Sequence, residues 1–208
     1  MIEINCMCIE NIAAEFMSKV EKGEIEIYSE FSLQHEFGIY LRRLMPDYKV
    51  QFERNIKYFQ IKNKNLLKKE IDISVFKNEE YPLYAIELKY PRNKRHPETM
   101  FDFCKDISFC EELVGRKFKK AYALVVVDDP LFYETKNELN GIYQYFRNSQ
   151  QISGEIKKPT KAKTNKGIEK VNIKGKYLVQ WNRVDKTNMR WYIIKIDSLT
   201  NDTLSQSC

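Results

Sequence analysis

The chain has 208 residues, 43% of them hydrophobic and 13% aromatic, and a formal net charge of +6. That size and apolar content suit one domain with a real core, and the basic excess favours a polyanionic partner. No run approaches the ~18 apolar residues of a membrane span, which excludes a transmembrane helix. The five cysteines (Cys6, Cys8, Cys104, Cys110 and Cys208) have no zinc-finger spacing, and only His35 and His96 stand ready to complete such a site. Their odd number, with no secretory signal before them, points to a reducing cytoplasm.

In chain order, Ile12, Phe16 and Val20 predict a leading helix over 9–21, interrupted by Gly23. A stronger helix is expected over about 30–45, capped by Ser29 or Ser32, striped by Leu33, Phe37, Tyr40, Leu41 and Leu44, and stopped by Pro46-Asp47. Alternation predicts a strand from Lys49 to Ile56, then a strand edge and a lysine-rich turn over 57–69. Glu70–Phe76 and Tyr84–Tyr90 read as two more strands, separated by Lys77-Asn78-Glu79-Glu80 and Pro82. A basic loop from Pro91 to Pro97 leads into a helix over about 98–114, with Phe101, Cys104, Ile107 and Leu113 inward. Ala121–Val127 is wholly apolar and predicts a strand buried on both faces; a helix over about 135–148 follows.

Beyond Gln151, lysines from Lys157 to Lys176 crowd a segment with few acids, which reads as a loop or linker. Lys176–Val184 and Arg190–Ile196, joined by Asp185-Lys186-Thr187-Asn188, predict a C-terminal β-hairpin. The expected organisation is an αβ core with its N-terminal helix over residues 1–150. A basic linker and hairpin over 151–208 pack on the same domain.

The chemistry concentrates in the two central strands. Side chains alternate, so Asp72 and Ser74 share one face of the first strand, while Ala85, Glu87 and Lys89 share one face of the second. Glu87 and Lys89 then lie roughly 7 Å apart. Pairing that sets Asp72 beside Glu87 brings two carboxylates and an ammonium together, a costly cluster unless a cation or phosphate neutralises it. Such a cluster predicts a metal-dependent nuclease.

Asp72, the Glu87-Leu88-Lys89 triplet and a preceding helix bearing Glu36 occur in the order helix, strand, strand, strand, helix, strand. Over roughly residues 29–129 this resembles the PD-(D/E)XK nuclease superfamily, the restriction-endonuclease-like fold. Ile71 stands where the name-giving proline would be. The resemblance implies an α/β fold with a mixed central β-sheet flanked by helices. It implies that Asp72 and Glu87 ligate Mg²⁺ or Mn²⁺, joined by the Leu88 carbonyl, and that the metal polarises the scissile phosphate and a bound water. Lys89 would orient that water and offset charge growing on phosphorus. It also implies a helix glutamate at the metal, for which Glu36 is the candidate and Glu30 the rival.

The resemblance also implies a polar residue facing the site from the 98–114 helix, for which Lys105 is the candidate. Arg92, Lys94 and Arg95 are expected to hold phosphates at its mouth. His96 is expected at the surface, Glu53 in a salt bridge, and Tyr177, Trp181 and Trp191 in the hairpin's own buried face. The functional expectation is a Mg²⁺-dependent endonuclease of restriction or defence type that hydrolyses phosphodiesters in double-stranded DNA, with a homodimer to cut two strands. The alternative is a non-catalytic nucleic-acid-binding module of the same fold. A third reading is an interaction protein whose charged strand face binds another chain.

Overall fold

The computed structural model describes residues 8–62, 66–134, 140–159 and 168–197. Helix α1 (Ile9–Glu21) turns Ile9, Ile12, Ala13, Phe16 and Met17 inward. Helix α2 (Glu30–Leu44) begins at Ser29, whose hydroxyl accepts from Ser32 N at 3.1 Å while Ser32 Oγ accepts from Ser29 N at 2.9 Å. That reciprocal cap satisfies two backbone donors and fixes where the helix starts. At Gly38 an added Cβ would stand 2.0 Å from the Phe52 ring, so α2 passes over the first strand where no side chain intervenes.

The strands are β1 (Lys49–Asn55), β2 (Glu70–Phe76), β3 (Pro82–Lys89), β4 (Lys120–Val127), β5 (Ile152–Lys157), β6 (Lys170–Tyr177), β7 (Asn182–Arg183) and β8 (Arg190–Asp197). Six of them form a sheet in the order β1-β2-β3-β4-β8-β7, and β5 and β6 form a second. β3 and β4 run parallel, while the other neighbours in the large sheet are antiparallel. A parallel pair needs a crossover, and helix α3 (His96–Val114) supplies it. The molecule is thus α/β with a mixed central sheet flanked by helices, as expected.

The two faces of the sheet build two cores. α1 and α2 cover Ile73, Val75, Tyr84, Ile86, Leu88, Leu124 and Val126. α3 covers Ala121, Ala123, Val125, Val127, Tyr192, Ile194 and Ile196. β4 is therefore buried on both sides, which its unbroken apolar run demands. Among the described residues no helix is long and apolar enough to cross a membrane.

Four expectations change. Within 57–69, Ile56–Phe59 forms a 3₁₀ turn that buries Phe59, not a strand edge; residues 63–65 lie outside the described residues. Of the helix expected over 135–148, Tyr143–Arg147 is helical and 135–139 lie outside the described residues. Both ends of the lysine-rich linker belong to the β5–β6 ribbon. Val171, Ile173 and Gly175 alternate inward between exposed lysines, and Glu111 of α3 anchors it, accepting from Lys174 N (2.9 Å), Gly175 N (2.7 Å) and Tyr177 Oη (3.0 Å). Residues 160–167 lie outside the described residues. Lys176–Val184 is not one strand: the chain leaves β6 at Tyr177 and rejoins the large sheet only at Asn182 and Arg183. The hairpin pairing is correspondingly short: β7 takes two residues of one edge of β8, while β4 pairs along the other from Arg190 to Asp197.

Candidate active site

β2 and β3 pair antiparallel through Ile73↔Ile86 and Ser74↔Ala85, a register that carries Asp72 to Glu87. Asp72 Oδ2 accepts from Leu88 N at 2.7 Å, and Glu87 Oε1 accepts from Asp72 N at 3.4 Å. Two positions on from Glu87 and on the same face, Lys89 Nζ donates to Glu30 Oε1 at 3.1 Å and to the Leu88 carbonyl at 2.9 Å. The structure therefore brings Asp72, Glu87, Lys89 and Leu88 together.

The surroundings add groups that sequence reading missed. Lys68 Nζ, on the segment leading into β2, donates to Glu87 Oε2 at 2.5 Å and pairs with Asp106 of α3. Asp106 Oδ2 also lies 3.6 Å from Lys89 Nζ. Both Asp106 carboxylate oxygens are buried and meet the two amines as ion pairs. Gln34 of α2 donates to the Asp72 carbonyl at 2.8 Å and to Glu53 Oε1 at 2.6 Å. Glu53 itself has a φ of 47°, and it falls out of the β1–β2 ladder between Phe52↔Ile73 and Arg54↔Ile71.

Four carboxylates (Glu30, Asp72, Glu87 and Asp106) thus meet two ammonium groups, an excess of negative charge in a largely dry place. Glu87 is 1% exposed, and burial, then Asp72 beside it, push its carboxyl well above the usual range against the pull of Lys68. Burial likewise pushes Asp72 up to about 6, although Lys89, Lys68 and the Leu88 N–H favour its ionised form. For Lys68, burial acts downward, but Asp106, Glu87 and Asp72 outweigh it and hold the amine above its ordinary value. Burial also lowers Lys89, and Asp106, Asp72 and Glu30 more than restore it.

Hard carboxylate oxygens with undercompensated charge are donors that suit a divalent cation such as Mg²⁺, so Asp72 and Glu87 fit the expected metal. Among the described residues, no three His, Cys, Asp or Glu side chains are gathered into a ready cage. The acids are arranged around the two ammonium groups instead.

Several expected site residues lie elsewhere. Glu36 is beside His35 at 3.4 Å, while the α2 stripe that reaches the site is Glu30 and Gln34. Two residues past Gln34 is about 200° round a helix, so Glu36 turns away, and the rival Glu30 is the one that reaches Lys89. Lys105 pairs with Asp102 at 2.6 Å, one helical step off the inward stripe of Phe103, Asp106 and Cys110. Arg92 pairs with Asp128, and Arg92, Lys94 and Arg95 form an exposed basic loop just past β3. His96 is buried rather than superficial: its Nε2 stands 2.7 Å from Asp129 Oδ2 and its ring packs edge-on against Phe132. Glu53 bonds Gln34 rather than a cation. Trp181 donates to the Phe146 carbonyl at 2.8 Å and packs on Tyr192, and Trp191 is buried.

The missed residues differ in how visible they were. Asp106 is a carboxylate three residues after Phe103 and four before Cys110, inside an apolar stripe. Lys68 lies in an irregular stretch with no period to read.

No family model, no curated protein and no solved structure matches the chain. The likeness to the PD-(D/E)XK superfamily rests on Asp72, Glu87, Lys89 and the order of the elements around them.

Proposed function

We propose that this chain is a divalent-metal-dependent nuclease that hydrolyses phosphodiester bonds, with DNA as its substrate. The observation that carries this reading is the meeting of Asp72, Glu87 and Lys89 at one end of the β2–β3 pair, in surroundings that penalise the carboxylates' charge. Asp72 and Glu87 would hold Mg²⁺ or Mn²⁺. When bound, the metal supplies Lewis-acid polarisation of a phosphate oxygen and of water.

The chain's own groups do the rest. Neighbouring acids hold Lys89 as an ammonium, so it serves as fixed positive charge for a phosphate oxygen and not as a general base. Glu30 and the Leu88 carbonyl aim that ammonium. Gln34 pins the backbone at Asp72. Asp106 keeps Lys68 and Lys89 charged. A restriction or defence role, and a homodimer that cuts both strands, extend the same reading.

The test is incubation of the full chain with supercoiled plasmid and with oligonucleotides in Mg²⁺, Mn²⁺ or EDTA. Cleavage is expected only with the metals, and it is lost in Asp72→Asn and Lys89→Ala while the circular dichroism spectrum is unchanged. No cleavage under any metal, or full cleavage by either variant, overturns the proposal. The exposed loop of Arg92, Lys94 and Arg95 favours a second reading, a binding module without catalysis, which predicts salt-sensitive DNA binding and no turnover.

A further inference from the structure

We propose that Tyr28 and Phe31, at the start of α2, form a stacking subsite that takes unpaired nucleobases beside the cleaved linkage; this inference rests on the nuclease reading. Tyr28 is 65% exposed and Phe31 73%. Two large rings are thus left in water three residues apart, at the end of α2 whose Glu30 holds Lys89. Tyr28 precedes the Ser29 cap, the position whose side chain ordinarily folds back onto the fourth helical residue. That residue, Leu33, is buried, yet the Tyr28 ring stays outside. Phe31 stacks on His35, with ring centroids 6.4 Å apart and planes at 12°.

The place of these rings ties them to the site. Glu30 stands next to Phe31, and its carboxylate holds Lys89 Nζ and Tyr90 N. Glu30 and Gln34 form the stripe facing the site, and Phe31 and His35 form the neighbouring stripe, about 100° round the helix. The exposed basic loop that begins two residues past Tyr90 offers positive charge to a phosphate chain at this end of β3. A strand whose phosphate lies at Lys89 can lay its bases on these rings only where they are unpaired. Every base has a π-face, so such stacking tolerates any sequence, whereas a duplex keeps its faces stacked internally. The subsite therefore engages single-stranded nucleic acid or a locally opened stretch of a duplex.

The experiment is fluorescence anisotropy of the full chain, in Ca²⁺, with a labelled mixed-sequence single strand and with an abasic strand of equal length. Phe31→Ala is expected to weaken the base-bearing strand about tenfold and the abasic strand less than twofold, with Phe31→Trp restoring affinity. Tyr81→Ala removes a ring 76% exposed in the β2–β3 turn and is expected to change neither. Equal losses on both strands, or none, overturn the subsite. So does sedimentation in which Phe31→Ala dissolves a dimer while oligonucleotide affinity holds, which assigns the patch to a second copy of the chain. Metal-dependent duplex cleavage with no Phe31 effect removes the subsite and leaves the nuclease reading. A tenfold Phe31 effect without any cleavage does the reverse.

Discussion

Helix α3 covers two unlike regions of one sheet face. Over β4 and β8 it lays Phe103, Cys104 and Ile107 on Ala123, Val125, Tyr192 and Ile194, within edge-on and tilted contacts among Phe103, Phe132, Phe146 and Tyr192. Over β2 and β3 the same helix lays Asp106 on Lys89 and on Lys68, which in turn holds Glu87. The first region is stabilised by removal of apolar surface from water. The second is costly, because burial raises the Asp72 and Glu87 carboxyls faster than the lysines can hold them ionised. A fold keeps such a region only where the rest of the core holds it in place, and the proposed chemistry would account for that cost.

This contrast can be broken from either side. The largest effect is expected in the apolar region: Phe103→Ala should lower unfolding free energy by about 3–5 kcal/mol, read by urea denaturation. In the charged region, Lys89→Ala should lower the rate constant of cleavage by about 10²–10³-fold, read in single-turnover assays. Asp72→Asn should abolish cleavage and yet stabilise the protein in EDTA by about 1–3 kcal/mol at neutral pH.

The pH dependence of that gain follows from the direction of the Asp72 shift. A carboxyl raised from 3.8 to about 6 binds its proton more tightly in the fold, so its contribution is most favourable below 3.8 and declines as pH rises through about 6. Wild type and Asp72→Asn should therefore unfold alike near the acid end of that window and diverge above it. Mg²⁺ at about 100 times its Kd should add ~2.7 kcal/mol to the wild type and less to the variant. The smallest effect sharpens the helix contact: Glu36→Ala should stay within about 0.5 kcal/mol of wild type, while Glu30→Ala should loosen Lys89 and slow cleavage.

The same contrast explains what the sequence disclosed. Asp72, Glu87 and Lys89 were legible because strand alternation leaves no freedom: once Ile73 and Ile86 face α2, their polar neighbours face α3. The helix contributions were half legible. Periodicity gave the apolar stripes of α2 and α3, but a residue bordering a stripe falls inside or outside according to where the helix crosses the strand ends. Hence Glu30 and Asp106 reach the site while Glu36 and Lys105 do not. The β5–β6 ribbon was hidden by composition, since its lysines outnumber the Val171 and Ile173 that dock on α3.

The left-handed turn at Glu53 has a further consequence. β1 borders the large sheet on one side and the two-residue β7 on the other. β1 bends at Glu53, midway along its length, and carries the charges of Lys49, Glu53 and Arg54. Neither rim offers a long, straight row of free amides and carbonyls. Among the described residues, the rims of the large sheet are therefore poor templates for a foreign strand, although its interior is rich in Val, Ile and Phe.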